Sequence, residues 1–240
     1  MATATEGLVK RTDRLRADLV DQGRRVQAML EAAFDALFSG SDEAARAVLK
    51  QDDVIDTADV AMEQACVQLL VDATRAGAEL EPMHLRTVLT IVKVNNELER
   101  IADAAVDVAE MVPLLKAAAG NFPPTFRVMA NSVVGILRDA NTSIQNSNPQ
   151  LAKVVLQSQH AVAAFKSALL RDAEEQIAKG RMSVDMAFRL HELASQCELM
   201  ADHCTNIAEQ LIYLTTGAIV RHTETSWVEV GSRCELPDGR

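Results

Sequence analysis

Aromatic residues are scarce in this chain: Phe, Trp and Tyr make up 3% of 240 residues, and Gly and Pro number only 10 and 6. Sheets draw on aromatic and β-branched runs, so this poverty argues against a β fold and for helices. No run approaches the ~20 uncharged residues that a membrane span requires. The first twenty positions carry Lys10, Arg11, Asp13, Arg14, Arg16 and Asp18, which leaves no apolar core for a signal peptide. Cys66, Cys197, Cys204 and Cys234 are too dispersed for a disulfide framework, so reduced thiols and a cytoplasmic setting are expected. The formal net charge is -10 and no Lys/Arg block stands out, which argues against nucleic acid or an anionic bilayer as a partner. A basic protein partner or metal cations suit this charge better.

What the chain does have is hydrophobic residues, 48% of the total and largely Ala, Val and Leu, spaced with helical periodicity. Gly, Pro and Ser punctuation cuts it into six long helices, at about 5–39, 42–76, 83–118, 124–146, 149–179 and 183–217. Ser41 or Asp42 is a suitable N-cap for the second, and Gly217 closes the sixth. The strongest breaker, Gly120-Asn121-Phe122-Pro123-Pro124, divides a first three-helix unit (1–119) from a second (124–217), with a tail at 218–240. Residues 99–110 line up without gaps on residues 198–209, an offset of 99 residues, and Ala47-Val48-Leu49 lines up on Val154-Val155-Leu156 at an offset of 107. The expected fold is all-α: two tandem three-helix bundles related by an internal repeat.

In the sixth helix Leu193, Cys197, Met200, Cys204, Ile207, Leu211 and Leu214 alternate at spacings of four and three, the seam of a packed bundle. Leu98, Ile101, Ala105, Val108 and Val112 hold the same phase in the third. Beside each seam runs an acidic stripe, Glu99, Asp103 and Glu110 in one half and Glu198, Asp202 and Glu209 in the other. Like charges four residues apart cost an isolated helix about 0.2–0.5 kcal/mol, so a repeated pair invites a bound cation. Carboxylates one turn apart project from one face and can share or bridge hard metals. Further pairs are Glu31 with Asp35 on the first helix, and Asp52 with Asp56 or Asp59 with Glu63 on the second. A solvated acidic face is the ordinary explanation of any single pair.

The segments Glu99-Arg100-Ile101-Ala102-Asp103 and Asp202-His203-Cys204-Thr205-Asn206-Ile207-Ala208-Glu209-Gln210-Leu211-Ile212-Tyr213, then Gly217, resemble the signatures of the PhoU family. Asp52-Asp53-Val54-Ile55-Asp56 and Leu85-Arg86-Thr87-Val88 resemble two further stretches of that family, and the similarity spans about residues 20 to 217. The resemblance implies a non-enzymatic regulator of phosphate uptake and phosphate-starvation signalling. Such an adaptor contacts a membrane sensor histidine kinase and the ATPase of a phosphate transporter, or another phosphate carrier, with a homodimer as one assembly. It also implies iron or another divalent metal, zinc or magnesium among them, at E/D-x-x-x-D motifs. Ala104 replaces a frequent His and Leu199 a usual Arg, and Asp53 and Asp56 correspond to His160 and Ala163 in the second half. Glu99 and Asp103 are therefore the best expected ligands, followed by Asp52, Asp56, Glu31 and Asp35. Asp139, Glu198 and Asp202 form the weaker set, in the second half.

Other motifs lead nowhere. His191-Glu192-Leu193-Ala194-Ser195 puts Ser where a zinc-protease helix needs its second His. Cys197 and Cys204 sit on the apolar seam, where a thiol behaves as a small hydrophobe rather than a zinc ligand beside His203. Glu81-x-x-His84 occurs once, whereas di-iron bundles need it twice. The alternative from another class is a carboxylate-bridged metal enzyme on a helical bundle. Trp227, Val228 and Val230 form the only apolar patch of the tail.

Overall fold

The computed structural model describes residues 2–78, 80–222 and 227–229. Among them are seven α-helices: α1 (Ala2–Ser39), α2 (Asp42–Arg75), α3 (Pro82–Glu110), α4 (Val112–Leu115), α5 (Pro124–Gln145), α6 (Pro149–Ala178) and α7 (Val184–Thr216). Strands β1 (Val220–His222) and β2 (Trp227–Glu229) pair antiparallel after α7. Six helices are long, as expected; the seventh comes from dividing the expected helix at 83–118. Pro113 is the cause, because its ring would meet the carbonyl four residues back and it has no N–H to donate. The helix breaks at Met111, and Pro113 is the second residue of the single turn α4. In the tail, Trp227 and Val228 fall in β2, while Val230 and Cys234 lie outside the described residues.

Local signals set the helix ends. Ser41 Oγ accepts from Ala44 N at 3.2 Å and caps α2, while Asn148 and Ser183 cap α6 and α7 in the same way. Gly217 ends α7 at φ +75°, a left-handed turn that glycine adopts without strain. Among the described residues no helix is long and apolar enough to cross a membrane.

α1, α2 and α3 pack on one another, as do α5, α6 and α7. Burial follows the repeat: Val48, Ile55 and Met62 of α2 and their counterparts Val155, Val162 and Leu169 of α6 all point inward. The seams read from the sequence, Leu98 to Val112 and Leu193 to Leu214, are buried throughout. Joining the halves, α3 packs on α7 and α1 on α5. α3 and α7 run antiparallel, because Asn206 donates to Glu97 at 3.1 Å at one end and Gln196 donates to Asp107 at 2.8 Å at the other. Glu97 and Gln196 are equivalent in the repeat, as are Asp107 and Asn206. The two contacts are one contact made twice, so the halves meet about a pseudo-twofold axis, as in an isologous dimer. Beside it Asn141 of α5 donates to Gly23 O at 2.8 Å, and a Cβ on Gly23 would lie 2.5 Å from Asn141 Oδ1.

Candidate functional site

On α3 the polar positions Asn95, Glu99, Asp103 and Asp107 recur every four residues, one stripe of a 3.6-residue helix. On α2 Asp52, Asp56, Asp59 and Glu63 follow at spacings of four, three and four, again one stripe. The helices are antiparallel, and the stripes face each other across their shared edge. Asn95, nearly fully buried, donates to Asp59 Oδ1 at 2.7 Å and to Asp59 O at 3.1 Å, which fixes the register. Burial, followed by the charges of Asp56, Asp103 and Asp53, raises the Asp52 carboxyl above its ordinary value. Glu99 is raised by burial, then by Asp103, Asp59 and Asp56, against a lowering from Arg100. Asp59 is raised by burial and by Glu63 and Asp56. Burial and like charge thus act together here, and no lysine or arginine of α2 answers them.

Of the residues expected to hold metal, Asp52, Asp56, Glu99 and Asp103 are brought together. Glu99 lies 3.5 Å and Asp103 3.8 Å from the exposed Arg100 of their own helix. Glu31 and Asp35 stand exposed on α1, with Glu31 bonded to Gln27 at 3.0 Å. Neither figures among the charges that press on Asp52, Asp59 or Glu99. Glu198 and Asp202 are matched from α6: Lys166 Nζ donates to Glu198 Oε2 at 2.7 Å, and Gln159 Nε2 donates to Asp202 Oδ1. Asp139 is half-buried on α5.

Among the described residues no three His, Cys, Asp or Glu side chains stand as a ready-made set around one point. The donor chemistry bears on which ion would fit. Asp52 Oδ1 and Asn95 Oδ1 are buried oxygens without a hydrogen-bond partner, two acceptors beside a cluster of carboxylates. Such a set suits a hard cation held by one or two carboxylates and completed by water. Zinc also takes carboxylate oxygens, but the Cys and His ligands usual in its sites do not figure among the residues of this cluster. Among the described residues the thiols are buried, Cys197 and Cys204 in the α7 seam and Cys66 on α2, and burial pushes Cys66 up to about 11 and Cys197 up to about 12.

Reading the sequence missed Asn95, Glu97, Gln159 and Lys166. Asn95 was visible as the first step of the four-residue stripe on α3. Glu97 was not, because its role depends on which helix of the other half crosses it. His203 Nδ1 meets Glu97 Oε2 at 2.7 Å and Asn206 donates to the same oxygen. Glu209, assigned from the sequence to an acidic stripe, is only 4% exposed and takes Arg221 of β1 at 2.7 Å. The Asp-His-x-x-Asn-x-x-Glu segment therefore ties α7 to α3 and to the hairpin.

A family model described as PhoU domain matches the chain twice, at residues 19–112 and 126–211. A phosphate-specific transport system accessory protein, PhoU homolog 1, of Thermotoga maritima is 27% identical over 207 residues, covering 85% of this chain and 86% of that protein. An Aquifex aeolicus PhoU homolog is 29% identical over 220 residues, covering 90% and 96%. The crystal structure of PhoU from Pseudomonas aeruginosa superimposes with a TM-score of 0.78 at 25% identity, covering 87% of this chain and 98% of that one. The phosphate transport system regulatory protein PhoU from Streptococcus pneumoniae has the same fold, with a TM-score of 0.80 at 23% identity over 89% and 99% of the two chains. With the model matching once in each half, on the same helices that the internal repeat pairs, the chain belongs to the PhoU family.

Proposed function

We propose that this protein is a regulatory accessory of phosphate uptake, a cytoplasmic, non-enzymatic adaptor between a sensor kinase and a phosphate transporter. Its repeats at 1–119 and 124–217 act as units, and the acidic face between α2 and α3 in the first is held together by a divalent cation. One observation carries the metal part: Asp52, Asp56 and Asp59 of α2 face Glu99 and Asp103 of α3 with no cationic side chain of α2 between them. A cation there would be held by Glu99 and Asp103 from one helix and Asp52 or Asp56 from the other. It would neutralise repulsion between the helices and present a fixed surface to a basic patch on a partner. The regulatory part is supported by the relatives, which are named accessory or regulatory proteins of phosphate transport.

The metal part is tested by titrating Mg²⁺ or Mn²⁺ into chelator-stripped protein in a calorimeter. The expected result is binding lost in Glu99→Gln/Asp103→Asn and retained in Glu198→Gln/Asp202→Asn; equal loss in both, or in neither, overturns the assignment. The regulatory part is tested by phosphate uptake in a strain lacking the gene, with unregulated uptake expected and normal control overturning it. Metal-dependent oxygen consumption that requires Glu99 and Asp103 would replace the adaptor with an enzyme.

A further inference from the structure

The seam between the halves is filled at one end and open at the other. At the filled end Phe34 and Phe38 of α1, Phe122 of the linker and Phe126 of α5 form a cluster with centroids 5.5–6.2 Å apart, and Arg127 covers the Phe38 ring at 4.2 Å. At the other end α1, α3, α5 and α7 enclose a cleft of about 390 Å³ with no ring among its lining residues. That volume lies within the range of small-molecule sites. Leu19, Ile91, Ile144 and Leu214 give it apolar walls.

Its polar groups have hydrogen-bonding capacity to spare. Thr90 lines the cleft at 4% exposure, and its Oγ1 has no partner. A helical threonine ordinarily bonds the carbonyl one turn back, as Thr87 does to Met83 O at 2.8 Å. A buried hydroxyl left unpaired forfeits a hydrogen bond it would have had in water. At the rim Arg24 is held by Asp21 at 3.0 Å and Gln145 at 3.3 Å. Arg16 donates only to the neutral Ser147 Oγ, at 2.7 Å, and among the described residues no carboxylate pairs with it, although Asp13 shares the rim. A guanidinium offers five N–H donors in a planar fork that matches phosphate or carboxylate. The cleft thus sets the unspent donors of Arg16 and the Thr90 hydroxyl above an apolar trough, with the Asp13 carboxylate as the one unpaired acid at the rim among the described residues.

We infer that this cleft binds a small amphiphilic oxyanion, its phosphate or carboxylate head on Arg16, its short apolar body against Leu19, Ile91 and Leu214, and an acceptor atom on Thr90. α1 and α3 belong to one half and α5 and α7 to the other, so a bound ligand stabilises the present arrangement of the halves. The site is separate from the acidic face and stands whether or not a cation binds there.

The test is calorimetric titration of the full chain, in chelating buffer, with phenyl phosphate, hexanoate, inorganic phosphate and hexanol. Phenyl phosphate, hexanoate or both bind at least about tenfold more tightly than inorganic phosphate and hexanol, and whichever binds tighter identifies the head group. Arg16→Gln keeps a donor for Ser147 and lowers the affinity about tenfold, the loss of one charge-assisted hydrogen bond. Thr90→Val also lowers affinity, while the unliganded protein melts at the same temperature or higher because an orphan hydroxyl is gone. Failure of both amphiphiles to bind, or unchanged affinity in both variants, overturns the inference.

Discussion

In the first half Asp52 and Asp59 of α2 face Asp103 and Glu99 of α3; in the second, Gln159 and Lys166 occupy the equivalent places of α6 and face Asp202 and Glu198 of α7. The apolar seams of the two halves correspond position by position, yet the polar edge differs in sign. Where the first half sets carboxylate against carboxylate, the second supplies an amide for Asp202 and an ammonium for Glu198. The Lys166 side chain is only 18% exposed and Glu198 35%, so removing either partner leaves a partly desolvated charge without its counterpart. The second half draws its neutralising charge from the facing helix, whereas the first has none on α2 and only the exposed Arg100 of α3 beside Glu99 and Asp103.

The largest effect is expected from making the second half resemble the first. Gln159→Asp with Lys166→Asp removes the amide and ammonium and adds two like charges, and should lower stability by about 2–4 kcal/mol in chelating buffer. Millimolar Mg²⁺ or Mn²⁺ should return part of that loss. Urea unfolding with and without cation measures both, and an unchanged midpoint would mean that Lys166 does not neutralise Glu198. Removing first-half charge without disturbing the Asn95–Asp59 bond, Asp52→Gln with Asp56→Gln, should stabilise the cation-free protein by about 1 kcal/mol and abolish its response to divalent cations. A response that survives would place the cation elsewhere.

Much of this comparison was legible in the sequence. The offsets of 99 and 107, the seams and the caps at Ser41 and Gly217 depend on spacing along one helix, and spacing is what a sequence records. Pro113 was equally visible, and its meaning for α3 was overlooked. Lys166 and Gln159 were not legible as partners of Glu198 and Asp202, because a contact between helices depends on which faces meet and at what height. Reading the seam fixed the face, but the height comes only from packing, as Asn95 on Asp59 demonstrates. The open cleft was hidden for the same reason, since its lining comes from four helices drawn from both ends of the chain.

The contact that the pseudo-twofold axis repeats provides a finer test. Glu97 receives His203 and Asn206, whereas Asp107 receives Gln196 alone and is raised by burial and by Glu110, Asp103 and Glu192. Glu97→Gln should therefore cost about 1–2 kcal/mol, and Asp107→Asn should be neutral or slightly stabilising. Equal losses would show that position about the axis, rather than local charge, sets the worth of the contact.

The smallest expected effect is on pH dependence, and its sign separates the halves most cleanly. Asp52, Asp59, Glu99 and Asp107 are all raised in the folded protein, so folding favours their protonated forms. Their contribution to stability is full below the unfolded carboxyl value, about 4, and is lost as pH rises through the raised folded values. Asp42 and Asp72 act oppositely, lowered by hydrogen bonds from Lys116 and from Arg11 and Gln68. Their contribution persists until pH falls through those lowered values, so it stays constant over the window in which the raised acids respond. In chelating buffer the melting temperature should therefore rise by about one to two degrees from pH about 7 to about 5, a small shift because these carboxylates remain partly solvated. Asp52→Asn with Glu99→Gln should flatten that rise, and so should a saturating divalent cation; Glu198→Gln should leave it in place. A rise that Glu198→Gln removes and the first-half pair leaves untouched would reverse the assignment of the unneutralised edge.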